Sequence, residues 1–344
     1  MTENTTVAVD LAKSVFEVAV SPRAGRVSER RRLNRAELLR WFARRRPCRV
    51  LLEACGSAHF WARELERLGH RPVLLPAQHV RRYRSRNKTD RADTKALLEA
   101  YRNEEIHPVP IKSPAQQELA ALHRLRACWL ASRTARINTL RGFLREQGIL
   151  ISTGARFVVP RALELAGDVD SQLSETLRFA LFELAREIRD HERRIGEIEL
   201  RLAALAEQND LALRLRTVPG IGLISATALA GFVGDLRRFS SARKFASYLG
   251  LTPREHSSGS TRRLGAISKR GDVYLRMLLI HGARAVLAAA PKVKNPDRVR
   301  TWALELSRRI GHNKAAVALA NKLARYAWAV AAHEENFADQ RTAA

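Results

Sequence analysis

The chain has 344 residues, 46% of them hydrophobic, which is enough to bury a core, long enough for about two or three domains, and excludes a basic disordered tail. Lys and Arg number 61 against 35 Asp and Glu, a formal charge of +26 with a pI near 11.3. Solubility does not need so large an excess, and the Arg fork suits phosphate, so the expected partner is nucleic acid. Cys48, Cys55 and Cys128 stand apart without CxxC spacing, which argues against a zinc module or a disulfide frame and for a reducing compartment. There is no basic-then-apolar leader, and the Ala-rich run at 283–290 is short and carries Arg284. A cytoplasmic protein making no membrane contact is expected.

Residues 5–10 (Thr-Thr-Val-Ala-Val-Asp) read as a strand ending in an acid, 14–21 as a second strand and 25–32 as a third. Residues 34–46 are predicted helical. Residues 49–53 (Arg-Val-Leu-Leu-Glu) form an apolar strand that again ends in an acid. A helix over 58–68, a strand over 72–75 and a helix beginning near Asp90 complete a β-β-β-α-β-α-β-α order. Thr89 can cap that last helix, and Asp90 and Asp93 share one face of its first turn. By themselves, these two carboxylates are either a solvated cap or half of a metal site.

The order of elements is that of the ribonuclease H-like fold, and open α/β sheets place ligands at the C-terminal ends of their strands. Asp10 and Glu53 stand at two such ends, and Asp90 and Asp93 come from the last helix beside them. Four carboxylates at one spot repel unless a cation neutralises them. Mg²⁺ suits an all-oxygen set with room for water and phosphate, and two such ions would clamp the attacking and leaving oxygens of a phosphodiester. The bland alternatives are a strand-end turn acid for Asp10 and an Arg-paired buried acid for Glu53.

Two long amphipathic helices follow, at 113–147 and 174–207, joined by a Gly/Pro-containing connection at 154–160. They read equally as an antiparallel coiled-coil arm or as part of a plain helical bundle. Residues 216–239 contain Val-Pro-Gly-Ile-Gly before an apolar helix, the pattern of a helix-hairpin-helix. Gly220 and Gly222 would let the backbone approach a DNA phosphate, and a tight turn without DNA is the alternative. In 249–276 a small polar loop holding His256, Ser257, Ser258, Gly259 and Ser260 is ringed by Arg254, Arg262, Arg263, Lys269 and Arg270. This is either a phosphate-binding basic loop or the surround of a phosphoryl-accepting serine, and composition does not choose. Asp272 caps the next helix, and 297–332 is helical.

Taken together, Val-Ala-Val-Asp10-Leu-Ala-Lys, Leu-Leu-Glu53-Ala-Cys-Gly, Asn-Lys88-Thr-Asp90-Arg-Ala-Asp93, Val-Pro-Gly-Ile-Gly, and Ser257-Ser258-Gly259 with Gly-Ala-Ile-Ser-Lys-Arg-Gly-Asp downstream resemble a known family. Over nearly its whole length the chain is similar to the DEDD transposases of the IS110 insertion-sequence family, in its IS1111 branch, to which Piv-type site-specific invertases are related. The resemblance implies a RuvC-like (RNase H-like) DEDD domain at 1–110, a coiled-coil linker at 111–210, and a mainly α transposase domain at 211–335 with the helix-hairpin-helix and serine loop. A disordered tail would follow at 336–344.

It further implies that Asp10, Glu53, Asp90 and Asp93 bind Mg²⁺, and that a serine attacks the DNA to give a covalent phosphoserine linkage. Ser258, directly before the glycine, best matches that position; Ser257 is the alternative, and Ser260 departs from a glycine common in the family. Lys88, Gly220, Gly222, Arg254, Arg262, Arg263, Lys269 and Arg270 would contact nucleic acid. The implied partners are donor and target double-stranded DNA, a structured bridge RNA that pairs with both, and further copies of the chain as a dimer or tetramer, in a nucleoid-associated cytoplasmic setting. The rivals are a junction-type nuclease that uses the four acids and water, and a non-catalytic nucleic-acid-binding protein.

Overall fold

The computed structural model describes residues 5–23, 25–84, 89–170 and 172–338. Two compact units divide the chain, Met1–Ser113 and Pro114–Ala344. A mixed α/β unit is followed by a mainly helical one.

In the first unit β1 (Thr6–Asp10), β2 (Val15–Ser21), β3 (Glu29–Asn34), β4 (Arg49–Glu53) and β5 (Arg71–Leu75) form one sheet in the order β3-β2-β1-β4-β5. The β3-β2-β1 part is antiparallel, and β1-β4-β5 is parallel. Four helices accompany it: α1 (Arg35–Ala43), α2 (Ala58–Arg67), α3 (Ala77–Val80) and α4 (Asp90–Tyr101). The third strand begins four residues later than the sequence pattern suggests. Before β3, Arg26 N–H donates to Arg23 O at 3.1 Å and Gly25 takes φ +77°.

The strand period of two sorts the side chains onto two faces. Val7 and Val9 of β1 and Val50 and Leu52 of β4 pack with Leu38, Phe42, Trp61 and Leu65 of α1 and α2. Ala8, Leu51 and Leu75 face the other way, onto Ala96, Leu97 and Ala100 of α4. Continuing the alternation by two puts Asp10 and Glu53 on the α4 face.

The second unit comprises α5 (Pro114–Glu146), α6 (Val158–Gly167), α7 (Glu175–Glu207), α8 (Asp210–Leu215), α9 (Leu223–Phe232), α10 (Ala242–Tyr248), the hairpin β6 (Pro253–Glu255) and β7 (Leu264–Ile267), α11 (Val273–Ala289), α12 (Arg298–Ile310) and α13 (His312–His333). The long helices α5 and α7 run antiparallel. Their cross-helix ion pairs descend on one as they climb on the other: Arg126–Glu199 at 2.6 Å, Arg133–Glu192 at 3.6 Å, then Arg136–Glu187. At the far end Ile137, Leu140 and Leu144 meet Leu181, Ala185 and Ile188, with Val158, Ala162 and Leu165 of α6 packed among them. That end is therefore a three-helix cluster. α6 starts inside the predicted connection because Pro160 falls in its first turn, where a missing N–H leaves no helical bond unmade.

Where α5 meets α9 and α11, His123 is fully buried. Thr227 Oγ1 donates to Leu223 O at 2.7 Å, so His123 Nε2–H donates to Thr227 Oγ1 at 3.0 Å and the Tyr274 hydroxyl donates to Nδ1 at 3.0 Å. Burial pushes the His123 pKa down to about 4, with Arg126 adding to the shift.

Val273–Lys292, though interrupted by Arg276 and Arg284, is long and apolar enough to cross a membrane by length and composition. Leu275, Leu279, Ala283, Val286 and Leu287 lie buried in the core around α9 and α13, so in this structure α11 packs as a core helix.

Candidate active site

Asp10 ends β1 and Glu53 ends β4, adjacent parallel strands in which Val9 pairs with Leu52. Asp90 and Asp93 lie in the first turn of α4, whose N-cap is Thr89, its side chain accepting from Ala92 N–H at 3.2 Å. Asp93 is buried, 6% exposed, while Asp90 is open to solvent. The Asp10 carboxyl is pushed up to about 6, first by burial and then by Asp93, Asp90 and Glu53 around it. Glu53, Asp90 and Asp93 thus all act on Asp10 at one end of the sheet.

Arg84 stands among them. Its Nη2 lies 3.4 Å from Glu53 Oε2 and its Nε 2.5 Å from Asp93 Oδ1. The second approach is a charge contact without hydrogen-bond alignment. Asp90 has its own partner, Arg32, at 3.3 Å. Among the described residues no three Asp, Glu, His or Cys side chains converge closely enough to hold a metal ion; a guanidinium bridges Glu53 and Asp93 instead. Arg84 gave no signal in the sequence, being one arginine in a basic stretch. Glu17, also overlooked, is an acid in the middle of the apolar strand β2, directly opposite Asp10 and only 5% exposed. An acid on the core face of a strand was the signal that could have found it.

Ser257 and Ser258 lie at the tip of the β6–β7 hairpin. The Ser257 hydroxyl donates to Glu255 Oε1 at 2.7 Å and accepts from Arg263 N–H at 3.2 Å. That hydrogen bond, with Arg262 nearby, holds the Glu255 carboxyl below its ordinary range. Ser258 exchanges backbone hydrogen bonds with Thr261, at 3.2 and 3.1 Å, around Gly259 at φ +55°. Its own hydroxyl is exposed and has no partner among the described residues.

The sequence pattern suggests only a loop here, since a hairpin exposed on both faces has no apolar alternation. Its base is tight. A Cβ on Gly271 would lie 1.9 Å from Tyr248 O and one on Gly250 2.0 Å from Arg270 O. Buried Arg276 donates to Leu249 O and Arg270 O across the same base.

Arg254, Arg262, Arg263, Lys269 and Arg270 are all exposed around this hairpin, Arg254 donating to Ser268 O at 3.3 Å and Arg262 pairing with Glu255 at 3.4 Å. Lys88 lies outside the described residues. Gly220, at φ +83° in the turn between α8 and α9, has a packing reason of its own: a Cβ there would meet Val286 Cγ2 at 2.8 Å and Gly282 O at 3.0 Å. Gly222, N-cap of α9, has open space around it.

Two stretches of the chain match family profiles of known proteins. Residues 7–148 match the family profile of DEDD transposases of the IS110 type, described as transposase, and residues 212–297 match that of the "Transposase IS116/IS110/IS902 family". A probable family 20 transposase of Pseudomonas aeruginosa is 42% identical over 95% of this chain and 97% of its own. The transposase for insertion sequence element IS1111A of Coxiella burnetii is 38% identical over 96% of this chain and 90% of its own. That of IS1328 from Yersinia enterocolitica is 35% identical over 95% and 96%. These matches make the chain an enzyme of the DNA transposase class. More particularly, the chain belongs to the IS110 family of insertion-sequence DEDD transposases.

Proposed function

We propose that this transposase cuts and rejoins donor and target DNA through a phosphoserine intermediate, using an RNase H-like acid centre and a serine from the hairpin. The gathering of Asp10, Glu53, Asp90 and Asp93 at one sheet end, with the Asp10 carboxyl pushed up to about 6 by burial first and then by the other three, carries the reading. The donor set fits a hard divalent cation: four carboxylates, no sulfur or imidazole, and more negative charge than Arg84 alone neutralises. Asp10, Glu53, Asp90 and Asp93 would hold Mg²⁺, which supplies neutralisation of the phosphate oxygens and of the leaving oxygen.

Ser258 is favoured as nucleophile because its hydroxyl is free, whereas that of Ser257 is engaged by Glu255. In the reaction the Ser258 oxygen bonds to phosphorus, the bond to the leaving sugar oxygen breaks, and the serine proton is lost while the leaving oxygen gains one. Attack by a strand's hydroxyl on the phosphoserine reverses this and restores the serine, so the bond energy is kept. Arg254, Arg262 and Arg263 would face the charge that develops on the phosphate. Lys88, Lys269, Arg270 and the turn at Gly220 and Gly222, read as a helix-hairpin-helix, would hold DNA backbone without reading sequence. Sequence choice falls to a bridge RNA in this reading, which rests on the family resemblance and on positive charge along the whole chain. The chain would act as a homo-oligomer, with α5 and α7 as a coiled-coil spacer.

A trapping experiment tests it. Protein, the RNA encoded beside its gene, donor and target DNA and Mg²⁺ are incubated, denatured and examined for a protein–DNA adduct. An adduct absent in Ser258→Ala and in Asp93→Ala supports the proposal. Cleavage without an adduct that survives Ser258→Ala would show a nuclease in which the acids act with water.

A further inference from the structure

Beside the acid cluster lies a notch of about 270 Å³, lined by Glu17, Arg30, Arg32, Thr89, Asp90 and Arg91 among others. Register explains how it forms. Asp10 of β1 pairs with Glu17 of β2, which pairs with Arg32 of β3, so the three stand in one row on the α4 face of the sheet. Arg30, two residues away, projects from the same face and donates to Thr94 Oγ1 of α4 at 3.0 Å.

Glu17 has no part in the chemistry set out above, yet it is a buried carboxylate, 5% exposed. Its two partners are Arg30 at 3.7 Å and Arg32 at 3.8 Å. The buried acid beneath the two arginines, with Thr94 on Arg30 and Asp90 on Arg32 at 3.3 Å, holds both guanidiniums in the notch wall. Arg32 keeps a side chain 70% exposed, and Arg91 is exposed with no ion-pair partner among the described residues. The start of α4, with Thr89 and Asp90 on the wall, adds the positive end of a helix dipole. An arginine-rich edge strand alone would be adequately explained as a guard against strand addition, but that does not account for a buried acid holding the arginines, nor for the notch.

We propose that this notch is a phosphate subsite for the DNA strand being cut, in which Arg32 and Arg91 hold a backbone phosphate close to the scissile one and Glu17 and Arg30 orient Arg32. Asp90 belongs both to the notch wall and to the acid cluster, which makes the two sites contiguous. The assignment rests on the acids being the cutting centre.

The test reads binding in EDTA, where no cutting takes place. Affinity of the full-length protein for a fluorescein-labelled DNA duplex is measured by anisotropy across a KCl series, and again for an RNA duplex of the same sequence. For B-DNA the slope of log K against log[salt] changes by about 0.9 for each phosphate contact. Arg32→Gln/Arg91→Gln is expected to flatten the DNA slope by about 1 and weaken binding about tenfold at moderate salt. Arg40→Gln, an exposed arginine on α1, controls for loss of charge alone.

Arg91→Gln by itself leaves both Glu17 pairs in place and so cannot act by unfolding the sheet; part of the loss must already appear in it. A DNA slope unchanged in both variants, or a loss equal to that of Arg40→Gln, overturns the subsite. A loss confined to the RNA duplex overturns its assignment to DNA. Failure of the wild type to cut DNA with Mg²⁺ would count against the acid centre, while the salt slope would still decide whether the notch binds phosphate.

Discussion

At the sheet end the candidate side chains are mostly tied to the fold: Asp10 and Glu53 are extensions of core strands, Asp93 is buried, and Arg84 bridges two of the acids, while Asp90 stays open to solvent. At the hairpin, residues 253–266 are all exposed, and Ser258 is placed only by a two-residue turn. The first arrangement concentrates charge in a place where burial strengthens it. The second leaves a hydroxyl open to a bulky substrate and confines rigidity to the base, where Gly250, Gly271 and Arg276 join the hairpin to α10 and α11. A centre that holds like charges together needs a core behind it; the proposed nucleophile, which would have to reach a DNA phosphate, needs a platform and little else.

The largest test of this contrast removes each centre in turn. Asp10→Asn and Asp93→Ala should each lower strand cleavage on the order of 10³-fold or more, and Ser258→Ala should abolish the covalent adduct. DNA affinity in EDTA should change little for Ser258→Ala. Equal loss of adduct in Ser257→Ala and none in Ser258→Ala would move the nucleophile by one residue.

The hairpin base comes next. Gly271→Ala puts a methyl 1.9 Å from Tyr248 O at φ +86° and should cost more than about 2 kcal/mol, read as a lowered melting temperature. Gly259→Ala, at the tip with open space around it, should cost about 1 kcal/mol or less from its φ of +55° alone. Similar losses for the two would mean the base is not the platform.

Arg84→Gln leaves buried Asp93 without its counter-charge and should lower stability in EDTA by about 2–3 kcal/mol. Added Mg²⁺ should restore much of that loss and bind more tightly than to the wild type, as isothermal titration would show. Weaker Mg²⁺ binding by Arg84→Gln would mean that the arginine supports the cation and does not compete with it.

The last effect is one of pH and belongs to His123, buried where α5 meets α9 and α11. His123 has a folded pKa of about 4 against an ordinary 6.5. A histidine kept neutral in the fold contributes nothing against folding above 6.5 and destabilises progressively as pH falls from 6.5 towards 4, by up to about 3 kcal/mol. Melting of the wild type should therefore drop over that window more steeply than melting of His123→Phe. Parallel curves would remove His123 from the account.

Much of this was legible in the chain itself. The succession of strands and helices along the first unit, the acids at the ends of β1 and β4, the Thr89 cap and the long helices follow from period, capping residues and apolar runs, which are local properties. The start of β3, the helix α6 and the β6–β7 hairpin were not. The first depends on how many residues a turn consumes, the second on a proline read as a breaker that falls in a first turn, and the third on a hairpin exposed on both faces. Which groups meet was decided only by the tertiary structure. Register alone sets Glu17 opposite Asp10 and Arg32, and packing of α4 on the sheet brings Asp93 and Arg84 together. The sequence by itself determined that the protein is basic and acid-bearing, because composition and period need no partner; its division into two compact units came from the fold. The neighbours of each charge, and so its pKa and its ion pairs, come from residues far apart in the chain, and only the folded structure decides them.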